Sequence, residues 1–348
     1  MDAFKTNLAD MLADMETAPD IYKPTNFWSS GLPDLIKDIE KLGVETFRTH
    51  PSAAFFYVPV YASSTLRKWG HILLPLADRL PKRKKARLMR RLSRSDRAWL
   101  DYRLFMATSV EGGLPVNEVS ESSVGGGERF TFDGKSYSRS MLNYLRAFNL
   151  FKREADSAKL GSILEIGGGY GTLGEILLKS NEDGFYVNVD IPPVAAISTY
   201  YLEQVFGKEN VLSYSESRAL DTIDLTALKK RYKAVVLCPW QLPKLTGQVD
   251  MFANFMSFQE MEPDVVHNYI KGVQPLVSGY ALIRNSALGK KIAKGAGDVG
   301  VIEQVKTAFI RDEFDAFECL AADSFVYGEE NETRTYQSEV LVLRRRQA

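Results

Sequence analysis

The segment Leu164-Glu165-Ile166-Gly167-Gly168-Gly169-Tyr170-Gly171-Thr172-Leu173 leaves this chain few folds to choose from. A short apolar run, Ile163 to Ile166, ends in glycines and leads straight into a helical pattern from Thr172 to Lys179. Glycines at a strand-to-helix turn let the backbone approach a ligand more closely than side chains allow. Asp190 ends a second apolar run, Phe185 to Asp190. A carboxylate roughly 20 residues beyond the glycines is placed to accept hydrogen bonds from ribose hydroxyls.

The rest of the chain supports this frame. From residue 161 onward, strand and helix patterns alternate, which predicts an α/β fold with a parallel sheet and helices on both faces. Further strands are predicted at Ala234–Cys238, Met251–Phe258 (where a helix also fits the pattern) and Tyr280–Asn285. Phe317–Val326 and Thr335–Leu343 are expected to close the sheet as an antiparallel pair, with a Gly-Glu-Glu-Asn-Glu turn between them. Pro263 begins a helix running to about Gln274, and Ser138–Lys152 reads as another. Residues 1–115 are mostly helical in pattern, with Leu32–Phe47 as one helix. Arg129–Phe132 followed by Asp133-Gly134-Lys135 looks like a strand entering a tight turn. Gly125-Gly126-Gly127 fits either a mobile gate or a turn.

Gly169-Tyr170-Gly171-Thr172-Leu173-Gly174 has the spacing of a dinucleotide fingerprint, so a nicotinamide-dependent oxidoreductase is one reading. Glu165 argues against it, because a carboxylate just before the glycines repels a pyrophosphate. It suits instead the ammonium and sulfonium of S-adenosylmethionine (AdoMet). Leu-Glu-Ile-Gly-Gly-Gly-Tyr-Gly resembles motif I of the Rossmann-like, class I methyltransferases. Together with Asp190-Ile191-Pro192-Pro193, Asn254-Phe255-Met256-Ser257-Phe258-Gln259-Glu260-Met261 and Asp133-Gly134-Lys135-Ser136-Tyr137-Ser138, it is similar to the putative sugar O-methyltransferase family over roughly residues 110–345.

That resemblance implies a mostly parallel seven-stranded sheet with an antiparallel last strand over residues 135–348. Residues 1–134 would form a helical extension over the acceptor site, with a short β segment near 115–134. It also implies a cofactor site built from Tyr137, Glu165, Gly167, Gly168, Gly169, Tyr170, Gly171, Asp190, Ile191, Pro239, Trp240, Gln241, Asn254 and Ser257. In this scheme Glu165 and the glycine loop hold the methionine part and Asp190 the ribose. Trp240 stacks on adenine and Gln241 hydrogen-bonds it. The implied reaction is O-methylation of a sugar or sugar-like hydroxyl, on a glycan or natural product, with a small molecule or nucleotide-linked sugar as acceptor.

Methyl transfer to an alcohol needs a general base. His267 is the first candidate, one turn into the helix after the fourth strand, with Asp264 three residues earlier on the same face to orient it. Glu260 is the competing base. Glu260 and Asp264 would also suit a metal, but no spacing demands one. N-methylation of an amine or peptide, RNA methylation and a non-catalytic interaction module remain alternatives.

Lys+Arg and Asp+Glu both total 44, so the net charge of zero argues against a global grip on nucleic acid. Cationic residues nevertheless crowd into Lys82–Arg94, where Leu88, Met89 and Leu92 form a narrow apolar stripe. RNA, an anionic membrane, a phosphorylated substrate or plain solvent all fit such a face. Cys238 and Cys319 are expected to be two buried thiols, and His50 and His71 to be structural. The N-terminus lacks a signal-peptide pattern, and the apolar stretch 53–62 falls short of the roughly 20 residues that span a bilayer. These features predict a cytoplasmic enzyme, with a homodimer through the N-terminal helices compatible with the pattern.

Overall fold

A computed structural model describes residues 2–62, 72, 74–295, 298–324, 329–331 and 334–347. His71, and residues 325–328 and 332–333 on either side of the middle of the expected turn, lie outside the described residues. The strands in chain order are β1 (Phe130–Phe132), β2 (Lys135–Tyr137), β3 (Ser162–Ile166), β4 (Phe185–Val189), β5 (Val211–Leu212), β6 (Ile223–Asp224) and β7 (Ala234–Leu237). There follow β8 (Leu245–Thr246), β9 (Val249–Phe255), β10 (Val277–Ser286), β11 (Phe317–Asp323), β12 (Glu329–Asn331), β13 (Arg334–Tyr336) and β14 (Ser338–Arg345).

Eight of them form one sheet in the order β11-β14-β10-β9-β3-β4-β7-β5. The fold is α/β and Rossmann-like. β14 alone runs against the others, pairing antiparallel with β10 and with β11. The eighth strand, β5, extends the edge beyond the expected seven; it is only two residues long, too short to show a pattern in sequence.

Alternation along the central strands feeds two cores. Ile163, Tyr186, Ala234 and Val236 pack on one face, while Leu164, Val187, Val235 and Leu237 pack on the other. Strands buried on both faces read as nearly continuous apolar runs. The chain winds outward from β3 in both directions, toward β4 and toward β9. That is the switch point at whose carboxyl ends open α/β sheets form their crevices.

The N-terminal third is mainly helical, with Asp2–Thr17, Leu32–Leu42, Lys82–Ser93 and Ser95–Ala107 as its longest described helices. The expected helix Leu32–Phe47 stops at Leu42, because Gly43 takes φ 78°, and a 3-10 turn follows. Among the described residues this region has no separate core. Leu8, Phe27, Phe47 and Phe105 share one apolar cluster with Leu142, Ile163 and Val342. The β1–β2 hairpin turns through Asp133 and Gly134, both at positive φ. The 125–127 cluster is a packed turn. A Cβ on Gly125 would lie 2.2 Å from the Phe47 ring, and Arg48 N–H donates to the Gly125 carbonyl at 3.0 Å. Cys238 is buried, but Cys319 is exposed because edge strand β11 leaves that face open.

Candidate active site

A cavity of about 230 Å³ opens at the carboxyl ends of β3, β4 and β9. Its floor is the glycine loop. Gly167 N–H continues the ladder to the Val189 carbonyl at 2.8 Å. Gly168 N–H donates to Asn188 Oδ1 at 3.1 Å, and Gly169 N–H to Asp190 Oδ2 at 2.9 Å. The polar ends of β4 therefore hold the loop in place. A Cβ on Gly168 would sit 2.6 Å from Asn188, Glu165 and Tyr186 oxygens, and one on Gly167 only 2.0 Å from Ser257 Oγ. Side chains at these two positions would collide with the residues on which the loop packs, so only glycine fits this cradle.

Asp190 lines the cavity and is 6% exposed. Its second oxygen accepts the Ile191 N–H at 2.8 Å. Burial pushes its carboxyl up to about 8, although both backbone donors act the other way. A group that brings hydroxyl donors to Asp190 therefore meets a carboxylate short of solvation. Ile191, Pro239, Val265 and Tyr269 make an apolar slot beside it.

Glu165 lies one layer deeper than expected. It does not line the cavity; Tyr144 Oη donates to its Oε1 at 2.8 Å and Tyr186 Oη to its Oε2 at 2.5 Å. Burial raises its carboxyl to about 7, against the pull of both phenols. Tyr144, which does line the cavity, stands between Glu165 and any ligand.

Gly167, Gly168, Gly169, Tyr170, Asp190, Ile191, Pro239, Ser257 and Glu260 are brought together around the cavity. The remaining expected residues have other work. Gly171 caps the following helix at φ 99°. Trp240 donates its indole N–H to Tyr214 Oη at 2.8 Å. Gln241 accepts from Cys238 N–H at 2.9 Å and donates to Ser217 Oγ at 3.1 Å. Both stabilise the turn after β7 and neither reaches the cavity. Asn254 donates to the Ile166 carbonyl at 2.9 Å and accepts from Phe258 N–H and Asn285 Nδ2, so it ties strand ends together. Tyr137 is buried among Tyr102, Phe105 and Phe132.

The expected base pair is also displaced. His267 has a side chain 57% exposed, and its Nδ1 lies 2.6 Å from Glu313 Oε2, outside the cavity. Asp264 is exposed and does not orient it. The helix Pro263–Val273 turns Val265, Val266, Tyr269 and Ile270 inward, which leaves positions 264 and 267 facing outward. His50 is buried, with a backbone hydrogen bond to Gly43.

Glu260 is the carboxylate that reaches the cavity. It is 7% exposed, and Lys290 Nζ lies 2.5 Å from its Oε1. Burial raises its carboxyl above the ordinary value, with Lys290 and the Trp28 side chain opposing the rise. The outer wall comes from the N-terminal region through Trp28, Phe55, Phe56 and Val58. That wall is fastened by Thr25 Oγ1 donating to the Glu260 carbonyl at 2.8 Å and by Asn26 Nδ2 donating to the Gly300 carbonyl at 2.8 Å. Lys290, Tyr144 and Trp28 were not singled out in the sequence, and no local motif marks them. Asn188 was detectable in principle, as the one amide in the otherwise apolar run Phe-Tyr-Val-Asn-Val.

No protein-family model matches the chain, and no curated protein matches it. Solved structures that resemble its fold include the mitomycin 7-O-methyltransferase MmcR, at 11% identity and TM-score 0.37, covering 59% of this chain and 57% of that one. Magnesium protoporphyrin IX methyltransferase from Synechocystis, with bound SAH, matches at 14% identity and TM-score 0.37, covering 57% and 81%. TehB from Haemophilus influenzae matches at 11% identity and TM-score 0.39, covering 57% and 61%. The chain thus spans little more than half the length of the mitomycin enzyme. These are likenesses of backbone course, and the chemistry of this chain is carried by its own cavity residues.

Proposed function

We propose that the chain is an AdoMet-dependent methyltransferase acting on a hydroxyl of a sugar or sugar-like small molecule, with residues 1–134 as a lid over the 135–348 domain. One juxtaposition carries this reading. The glycine cradle and the buried Asp190 carboxylate share a single cavity with a second buried carboxylate, Glu260.

The cradle and Asp190 fit the cofactor: Asp190 would accept the ribose hydroxyls, Ile191 and Pro239 would flank adenine, and Gly167–Gly169 would face the methionine part. When bound, AdoMet supplies an electrophilic methyl on sulfur. Glu260 would take the acceptor's hydroxyl proton, leaving the oxygen free to accept the methyl group that AdoMet would supply. Lys290 holds Glu260 in place and balances its charge. Trp28, Phe55 and Phe56 shield the site from water and offer flat apolar surface to a sugar ring. Positioning in a closed site does much of the catalysis in an in-line displacement.

Calorimetric titration with AdoMet, its demethylated product and NADH tests the assignment. Binding of both sulfur compounds without NADH is expected; binding of NADH alone overturns it.

A further inference from the structure

Residues 74–107 present an exposed surface that the proposed reaction does not use. The helix Lys82–Ser93 carries seven Lys and Arg and no carboxylate, in a chain whose net charge is zero. None of its residues is buried. Lys85 pairs with Asp78 and Arg90 with Asp96, both at exposed positions. Apolar side chains crowd the same stretch. Of the thirteen exposed large hydrophobic residues among the described ones, seven fall between Ile72 and Met106. Ile72, Leu74, Leu76 and Leu80 are 44%, 43%, 51% and 38% exposed, the first three at helical positions and Leu80 in the bend just before the basic helix. Trp99 and Leu100 are 45% and 63% exposed on the helix that follows the basic one. Single exposed leucines are ordinary, whereas a concentration beside a basic helix marks an interaction site.

We propose that this face docks the protein on an anionic phospholipid surface, with the cations on headgroups and Leu76, Leu80, Trp99 and Leu100 entering the interface. A basic helix accompanied by exposed leucine and tryptophan is the composition that lies flat on such a surface. Among the described residues no helix is long and apolar enough to cross a membrane, so the contact is peripheral. A single-stranded nucleic acid fits less well, since stacking wants aromatic residues between the cations and Lys82–Ser93 has none. A second copy fits less well too, because a twofold contact sets this patch against itself and opposes the seven cations to their own images.

Sedimentation of the full chain with vesicles tests the proposal, comparing phosphatidylcholine alone with equal parts of phosphatidylcholine and phosphatidylglycerol. Binding to the mixed vesicles only, weakening as salt rises, is expected. The variant Lys84→Gln/Arg87→Gln/Arg91→Gln should lower partitioning about tenfold or more. Leu76→Ser/Leu100→Ser should weaken it severalfold, and unchanged melting temperatures show that both variants fold. Wild-type protein that ignores mixed vesicles, or binds both kinds equally, overturns the proposal. So does vesicle binding indifferent to the leucine variant. Salt-sensitive RNA binding without vesicle binding reassigns the face to nucleic acid. Self-association abolished by the leucine variant, again without vesicle binding, reassigns it to a second copy.

Discussion

Asp190 and Glu260 are two buried carboxylates with different surroundings, and their substitutions should separate binding from chemistry. Asp190 has its carboxyl at about 8 against an ordinary 3.8. Folding therefore retains a proton that the unfolded chain releases. This group costs stability progressively as pH rises from 3.8 toward 8. Cofactor binding should run the other way, since only the ionised form accepts both ribose hydroxyls. Titration across the pH range should show AdoMet affinity rising to a plateau above about 8. Asp190→Asn should abolish that dependence and weaken affinity on the order of ten- to a hundredfold; a pH-independent wild type would refute the role. Glu260→Gln should leave AdoMet affinity within about twofold and lower kcat on the order of a hundredfold or more. His267→Ala should leave kcat nearly untouched, because its imidazole is turned away toward Glu313.

At the level of elements, one carboxylate sets the register of the central strands. Asp250 Oδ2 accepts from Gly161 N–H, Ser162 N–H and Ser162 Oγ at 2.8, 2.7 and 2.9 Å. It thereby pins the start of β9 to the start of β3, whose other ends carry the cavity. Asp250→Ala leaves those donors without their acceptor and should destabilise the fold by about 1–3 kcal/mol in a denaturant melt. The glycine loop and Asp190 were legible in sequence because backbone geometry dictates both. The helix after β9 was legible in extent but not in rotation. His267 and Asp264 share a face, but the face turned inward is the one carrying Val266 and Ile270. Trp240 and Gln241 follow the right strand, yet the 3-10 turn that carries them directs their side chains to Tyr214 and Ser217. Lys290 approaches Glu260 across thirty residues, a meeting decided by tertiary structure.

At the scale of the whole molecule, a buried ion pair inside the N-terminal region, whose carboxylate also reaches Ser138 and Tyr170 of the other region, is one that sequence patterns give no means of finding. Arg48 Nη2 lies 2.7 Å from Glu121 Oε1, with both side chains essentially inaccessible to solvent. Glu121 also accepts from Ser138 N–H and from Tyr170 Oη, while the Arg48 guanidinium lies 4.9 Å from the Tyr170 ring centroid. The N-terminal region thus grips the glycine loop through the loop's own tyrosine. Arg48→Met leaves Glu121 buried without its cation and should cost about 3–5 kcal/mol. Thermal unfolding should remain a single transition at lower temperature, as expected of the shared core; two separated transitions would contradict that core.

The origin of the outer cavity wall has a consequence for how such catalysts diversify. Trp28, Phe55 and Phe56 line the outer wall of the cavity, where the proposed acceptor would sit, but they belong to a stretch of chain apart from the one that builds the glycine loop. Acceptor preference can then drift, or be transplanted between related chains, while the cradle stays as it is. A graft of the first sixty residues would have to bring Thr25, Asn26 and Arg48 along, because these are the fasteners through which a borrowed wall finds its seat.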